Sequence, residues 1–124
     1  MASAFVPTLY LNRHCPFCFK LRVFLLEAGM LDRATIEEFV PGTPEETAMR
    51  EKLSPYFEKL SFPAARIAED KYMLESDAII DWFAAQTGAD KTRLPTYNAY
   101  VEGPFKKLIA LFQENKKLKE QAGG

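Results

Sequence analysis

Short apolar runs alternate along this 124-residue chain with longer stretches whose apolar residues recur at helical spacing. Thr8-Leu9-Tyr10-Leu11 is an apolar run that stops at Asn12-Arg13-His14 and reads as a strand. Pro16 suits a first helical position, where its missing N–H would have had no partner, and Gly29 supplies a stop, so the spacing predicts a helix between them. Phe17, Leu21, Phe24, Leu25 and Ala28 share one face of that helix, while Phe19, Val23 and Leu26 line much of the other, so it should be covered on two sides. Residues 35–40 read as a second strand. Pro41-Gly42 then turns the chain into Thr43-Pro44-Glu45-Glu46, a capping-box pattern that opens a second helix running to about Ser54.

Beyond a connection over residues 56–61, Phe62-Pro63-Ala64-Ala65-Arg66-Ile67 leads into a strand, and the polar turn Glu69-Asp70-Lys71 brings Tyr72-Met73-Leu74 back as a hairpin. A third helix starts near Ser76, whose hydroxyl is placed to cap it with Asp77 at the positive end of its dipole, and continues through Ile79, Ile80, Trp82 and Phe83 towards Gly88. The order is βαβαββα, which predicts an α/β domain over residues 1–87. Residues 88–103 show no sustained period and read as a linker. Pro104 then opens a last helix, residues 104–122, in which Phe105, Leu108, Ile109 and Phe112 form a stripe flanked by Leu111 and Leu118. That stripe is expected to pack on the same domain, against the helix that begins at Pro16.

Sixteen basic and 17 acidic side chains give a formal charge of −1, which excludes a broadly basic nucleic-acid binder. At 48% hydrophobic and 27% charged the composition is that of a globular domain, and a chain this size buries roughly two-thirds of its unfolded surface. No apolar run approaches the ~20 residues of a membrane span, and residues 1–7 lack the charged start and apolar stretch of a signal peptide. A cytoplasmic protein without membrane or nucleic-acid partners is the expectation.

Chemistry centres on the two cysteines, Cys15 and Cys18. So short a loop adds little to stability as a crosslink, so a chemical or metal-binding role competes with an incidental one. Cys15 falls just before a helix, where unpaired N–H groups and the dipole favour a thiolate, and Arg13 is close in sequence. Cys18 follows one turn along the same face, where it could attack a disulfide formed on Cys15. Pro16 restricts the loop, and Phe17 presents an aromatic edge beside the sulfur. Three other readings stand beside a redox dithiol: buried cysteines acting as small hydrophobes, a zinc site needing about two further ligands when His14 is the only histidine, and an iron–sulfur cluster bridged between chains.

The segment Asn12-Arg13-His14-Cys15-Pro16-Phe17-Cys18-Phe19-Lys20-Leu21-Arg22 resembles the active-site segment of dithiol glutaredoxins. Lys71-Tyr72-Met73-Leu74-Glu75-Ser76-Asp77-Ala78-Ile79-Ile80 resembles the glutathione-binding segment of glutathione transferases. Together they are most similar to transferase-like glutaredoxins. The resemblance implies a thioredoxin-like βαβαββα sandwich with a mixed four-stranded sheet, glutathione as co-substrate without a metal, and disulfide-containing or glutathionylated proteins as partners. It implies Cys15 as nucleophile, Cys18 as resolving thiol, Pro63 as a cis-proline beside them, and Phe62 offering its backbone to the cysteine portion of glutathione. Glu75 and Ser76 would hold the γ-glutamyl end, and a helix N-terminus is by its physics an anion site. Asn12 stands where many glutaredoxins carry a lysine, which leaves Arg13 as the candidate for the glycine carboxylate. The implied function is glutathione-dependent thiol–disulfide exchange; the alternative is a protein that binds glutathione or a bridged iron–sulfur cluster without turnover. Relatives also carry a larger helical domain, for which the residues after Thr87 are too few.

Overall fold

Alternation along β1 (Thr8–Asn12) sends Leu9 and Leu11 to one face of a sheet and Tyr10 to the other, and all three are buried. The computed structural model describes residues 5–123, so four of the seven residues examined for a leader lie outside it. The sheet has the order β2-β1-β3-β4, with β2 spanning Thr35–Phe39, β3 Ala64–Ala68 and β4 Lys71–Leu74. β1 and β2 run parallel, which requires a crossover, and α1 (Pro16–Glu27) supplies it. β3 runs antiparallel to both β1 and β4, so the sheet is mixed, as its expected order implies.

One sheet face is covered by α1 and α3 (Ser76–Thr87), the core there being built from Leu9, Leu11, Leu21, Phe24, Ile79 and Ile80. The opposite face, with Tyr10, Phe39 and Ala64, is covered by Met49 and Leu53 of α2 (Pro44–Leu53). The fold is a thioredoxin-like α/β sandwich that sets the N-termini of α1 and α3 beside the strand leading from Pro63.

Several local expectations are corrected. The Thr43 hydroxyl donates to the Val40 carbonyl instead of capping α2, and Glu46 reaches back to the N–H of Gly42, so only half of a capping box forms, displaced by one residue. Ser76 is the buried first residue of α3, and the flanking N-cap position belongs to Glu75, whose φ of 78° lies in the left-handed region. The stretch expected to be a linker is mostly helical: after a short turn at Lys91–Arg93 come α4 (Pro95–Tyr100), a wider π-type turn (Val101–Phe105) and α5 (Lys106–Gly123). Pro95 sits in the first turn of α4, where a missing N–H is tolerated, and Pro104 sits inside the π-type turn, so neither ends the helical path.

Glu27 at the end of α1 accepts the N–H groups of Thr96 and Tyr97 at 2.9 and 2.7 Å, docking the start of α4. Tyr97 is buried against Phe24, and Phe19 meets Tyr100 edge-on at 5.1 Å. The second side of α1 is covered only at Phe19 and Val23, and only in part: Phe19 is 52% and Leu26 64% exposed, so the expected cover on two sides is incomplete. Of the predicted stripe only Phe105 and Ile109 are partly buried. Leu108 and Phe112 are exposed, Phe112 by 54%, because α5 runs on past the edge of α1. Among the described residues no helix is long and apolar enough to cross a membrane.

Candidate active site

The loop between β1 and α1 holds Cys15 at the N-cap position, half-buried, with extended backbone and with Pro16 as the first helical residue. Cys18, one turn on, is 2% exposed and packs in the main core. Its sulfur also accepts the N–H of Asn12 at 3.4 Å. The two thiols are free and act as a unit. A hydrogen bond from Cys18 is the largest influence on Cys15, and the backbone N–H groups of Cys18 and Phe17 add to it, outweighing burial and lowering the Cys15 thiol to about 6. The same bond, with burial, pushes Cys18 up, so Cys18 is the proton donor of the pair and Cys15 the thiolate.

Arg13 takes no part in that shift. Its exposed guanidinium lies 4.0 Å from Glu38, which Arg22 also engages. His14 is an exposed residue of the loop, and its N–H is held by the Asn12 side chain at 2.9 Å.

Across from the loop, the Phe62–Pro63 peptide is cis, and the Phe62 carbonyl stands 3.8 Å from the Cys15 sulfur. Beside the thiol opens a cleft of about 260 Å³ lined by Phe17, Ser61, Phe62, Pro63, Glu75 and Ser76. The cleft is near the lower end of small-ligand sites. Of the nine residues singled out from the sequence, Arg13 alone is turned away; the other eight form the dithiol loop or the wall facing it. At the far end of the cleft lies the N-terminus of α3, whose first N–H groups have no partner within the helix. Holding Glu75 at φ 78° costs a non-glycine residue about 1–3 kcal/mol, a strain typical of ligand clamps.

Four neighbours of the site were not anticipated. Arg50 of α2 lies over the Phe62 ring, 5.1 Å from its centroid, and is held by Glu46 at 2.8 Å. The Tyr100 hydroxyl donates to the Pro16 carbonyl at 2.9 Å, tying the first turn of α1 to α4. Phe105 meets Phe17 edge-on at 5.1 Å, and Lys20 is buried beneath both rings. The one available signal was Lys20 itself, a charge set between the two apolar sides of α1. Among the described residues no group of three or more His, Cys, Asp or Glu is placed to hold a metal.

A family model described as glutathione S-transferase, N-terminal domain, matches residues 14–86, more than half of the chain. The chain belongs to the glutathione S-transferase N-terminal domain family. The matched range contains both cysteines, Pro63 and the Glu75-Ser76 pair, while β1 and the helices after α3 lie outside it. Among solved structures, glutathione transferase Omega 3C from Trametes versicolor superposes with a TM-score of 0.52 at 23% identity, over 81% of this chain. Glutathione transferase Omega 2C from the same organism gives 0.46 at 21% identity over 86%. This transferase-family chain spans 43% and 45% of the length of those two proteins. No curated protein sequence matches it.

Proposed function

We propose that the chain is a glutathione-dependent thiol–disulfide oxidoreductase of glutaredoxin type, acting on glutathione mixed disulfides or protein disulfides. The observation that carries this reading is the place of Cys15 at the start of α1, its sulfur 3.8 Å from the Phe62 carbonyl in a cleft wall that runs on to Ser76 at the N-terminus of α3, with the thiol lowered to about 6. The Cys15 thiolate attacks the glutathione sulfur of a glutathionylated protein, an S–S bond forms between Cys15 and glutathione, and the protein leaves as a thiolate that takes up a proton. A second glutathione thiolate then attacks the enzyme-bound glutathione sulfur, oxidised glutathione departs, and the Cys15 thiolate is restored. Alternatively Cys18 loses its proton and attacks Cys15, which releases glutathione and leaves an intramolecular disulfide for reduction by two further glutathiones.

The proposed binding mode uses the lining of the cleft. The γ-glutamyl α-carboxylate meets the free N–H groups at Ser76, its ammonium meets Glu75, and the cysteine portion lies along Phe62 and Pro63 beside the thiol, with Pro16 and Phe17 completing the wall. For the glycine carboxylate, Arg50 is the cation that lies against the cleft wall, over the Phe62 ring, and it would have to share its guanidinium with Glu46. Both thiols take part in exchange, and no metal enters the proposed cycle.

Turnover of a glutathionylated peptide at controlled glutathione concentration tests the proposal. The wild type and Cys18→Ser should both turn over, the latter through external thiol, and Cys15→Ser should not. Glutathione binding with no turnover in the wild type would instead favour a protein that holds glutathione without catalysis.

A further inference from the structure

Lys20 carries a charge in a place where charges are rarely found. It lies on α1 with 4% of its surface exposed, and its ammonium donates to Asp77 Oδ1 at 2.8 Å across the gap to α3. The Phe105 ring lies over the ammonium at 4.6 Å from its centroid and Phe17 at 5.7 Å, so two aromatic rings shield the ammonium, while the Asp77 side chain is 71% exposed. Burying an ammonium is costly and its salt bridge does little more than offset that cost, so stability is a weak explanation for its presence.

The charges around Ser76 offer a better one. Glu75 and Asp77 flank it, placing two carboxylates at the helix end that, in the function proposed above, receives a third from the ligand. The ligand's own ammonium offsets Glu75, but nothing in glutathione offsets Asp77. Left unpaired, Asp77 would oppose the attraction of the helix end for an anion. Lys91 feels Asp77 only at a distance, its ammonium being bound by Asp81 at 2.9 Å. Lys20 is the group that cancels Asp77.

We infer that Lys20 is a positioning and selectivity residue: by pairing with Asp77 from inside the fold, it keeps the N-terminus of α3 receptive to the α-carboxylate of a γ-glutamyl ligand. It holds Asp77 and not the ligand, so its effect passes through the charge of Asp77. The inference rests on the glutathione reading of the cleft. Phe105 covers the Lys20 end of the pair, which links the segment after α4 to ligand affinity.

A charge cycle at the two positions tests this, read by titration of the full chain with reduced glutathione. Lys20→Met should weaken binding roughly fivefold through the uncancelled like charge, most clearly at low ionic strength because Asp77 is exposed. In Lys20→Met/Asp77→Asn the repelling charge is gone, and affinity should return to within about threefold of the wild type. Asp77→Asn alone should bind as tightly as the wild type or more so, and this variant keeps the test decisive if Lys20→Met does not fold. Alkylation of Cys15 should proceed at the same rate in every variant. A double variant that binds no better than Lys20→Met, or an Asp77→Asn variant that binds more weakly than the wild type, would overturn the assignment and leave Lys20 a scaffold residue. If the wild type itself binds no glutathione, the reading of the cleft falls, and this inference with it.

Discussion

At the scale of single residues, the dithiol was legible because its chemistry is local: a strand end, two cysteines three apart and a proline to open the helix. Sequence reasoning assigned the low thiol to the helix end and Arg13. The structure puts the hydrogen bond from Cys18 first, with the helix-end N–H groups second. That cause makes a prediction. Because the Cys15 thiol is lowered, its thiolate is present above pH about 6 and lost below it, so the alkylation rate should titrate with that midpoint and be near its plateau at neutral pH. Cys18→Ala removes the principal donor and should move the midpoint up towards that of an ordinary thiol, while Cys18→Ser, which keeps a donor, should fall between. Superimposable pH profiles for the wild type and Cys18→Ala would show that the helix end alone sets the thiolate. Lys20 and Arg50 were not legible in this way, since their places depend on contacts with Phe105 and Phe62 that are distant in sequence.

At the scale of elements, strand alternation and helix punctuation carried the βαβαββα order, because each element there buries one face against the sheet. The same punctuation misled after Thr87. Pro95, Gly103 and Pro104 read as breaks, yet the chain absorbs them at a helix start and within a π-type turn. What holds α4 in place is the pairing of Glu27 with the N–H groups of Thr96 and Tyr97, a contact between residues about 70 apart that no local pattern shows. At the start of α3, Glu75→Gln should weaken glutathione binding by ~1.5–3 kcal/mol, the scale of one charge-assisted hydrogen bond. The loss should appear mainly in KM, since the contact is made equally in ground and transition states. The alkylation rate of Cys15 should not change. Ser76→Ala is now more informative than a capping role would allow, because the Ser76 hydroxyl does not cap α3. Unaltered affinity in Glu75→Gln would detach the γ-glutamyl group from this end of the cleft.

At the scale of the molecule, the α/β sandwich and the segment up to Phe105 form one packed body, and α5 extends from it with Leu108, Leu111, Phe112 and Leu118 exposed. Stability should therefore divide at about that point. Removing residues 114–124 should leave the melting temperature nearly unchanged, since the side chains described there are exposed. Phe105→Ala strips contacts from Phe17, Tyr100 and Lys20, and should cost about 1–3 kcal/mol, a shift of several degrees. A large loss on truncation with little from Phe105→Ala would mean that the distal helix packs on the body after all. The proposed function turns on one event that involves the whole arrangement: covalent attachment of glutathione to Cys15, beside the cleft. Exposing the Cys18→Ser protein to oxidised glutathione at neutral pH, followed by peptide mapping by mass spectrometry, tests it most directly. One glutathione per chain, held on Cys15 and absent from the Cys15→Ser protein, is the result predicted; a Cys15 that stays unmodified under these conditions would contradict it.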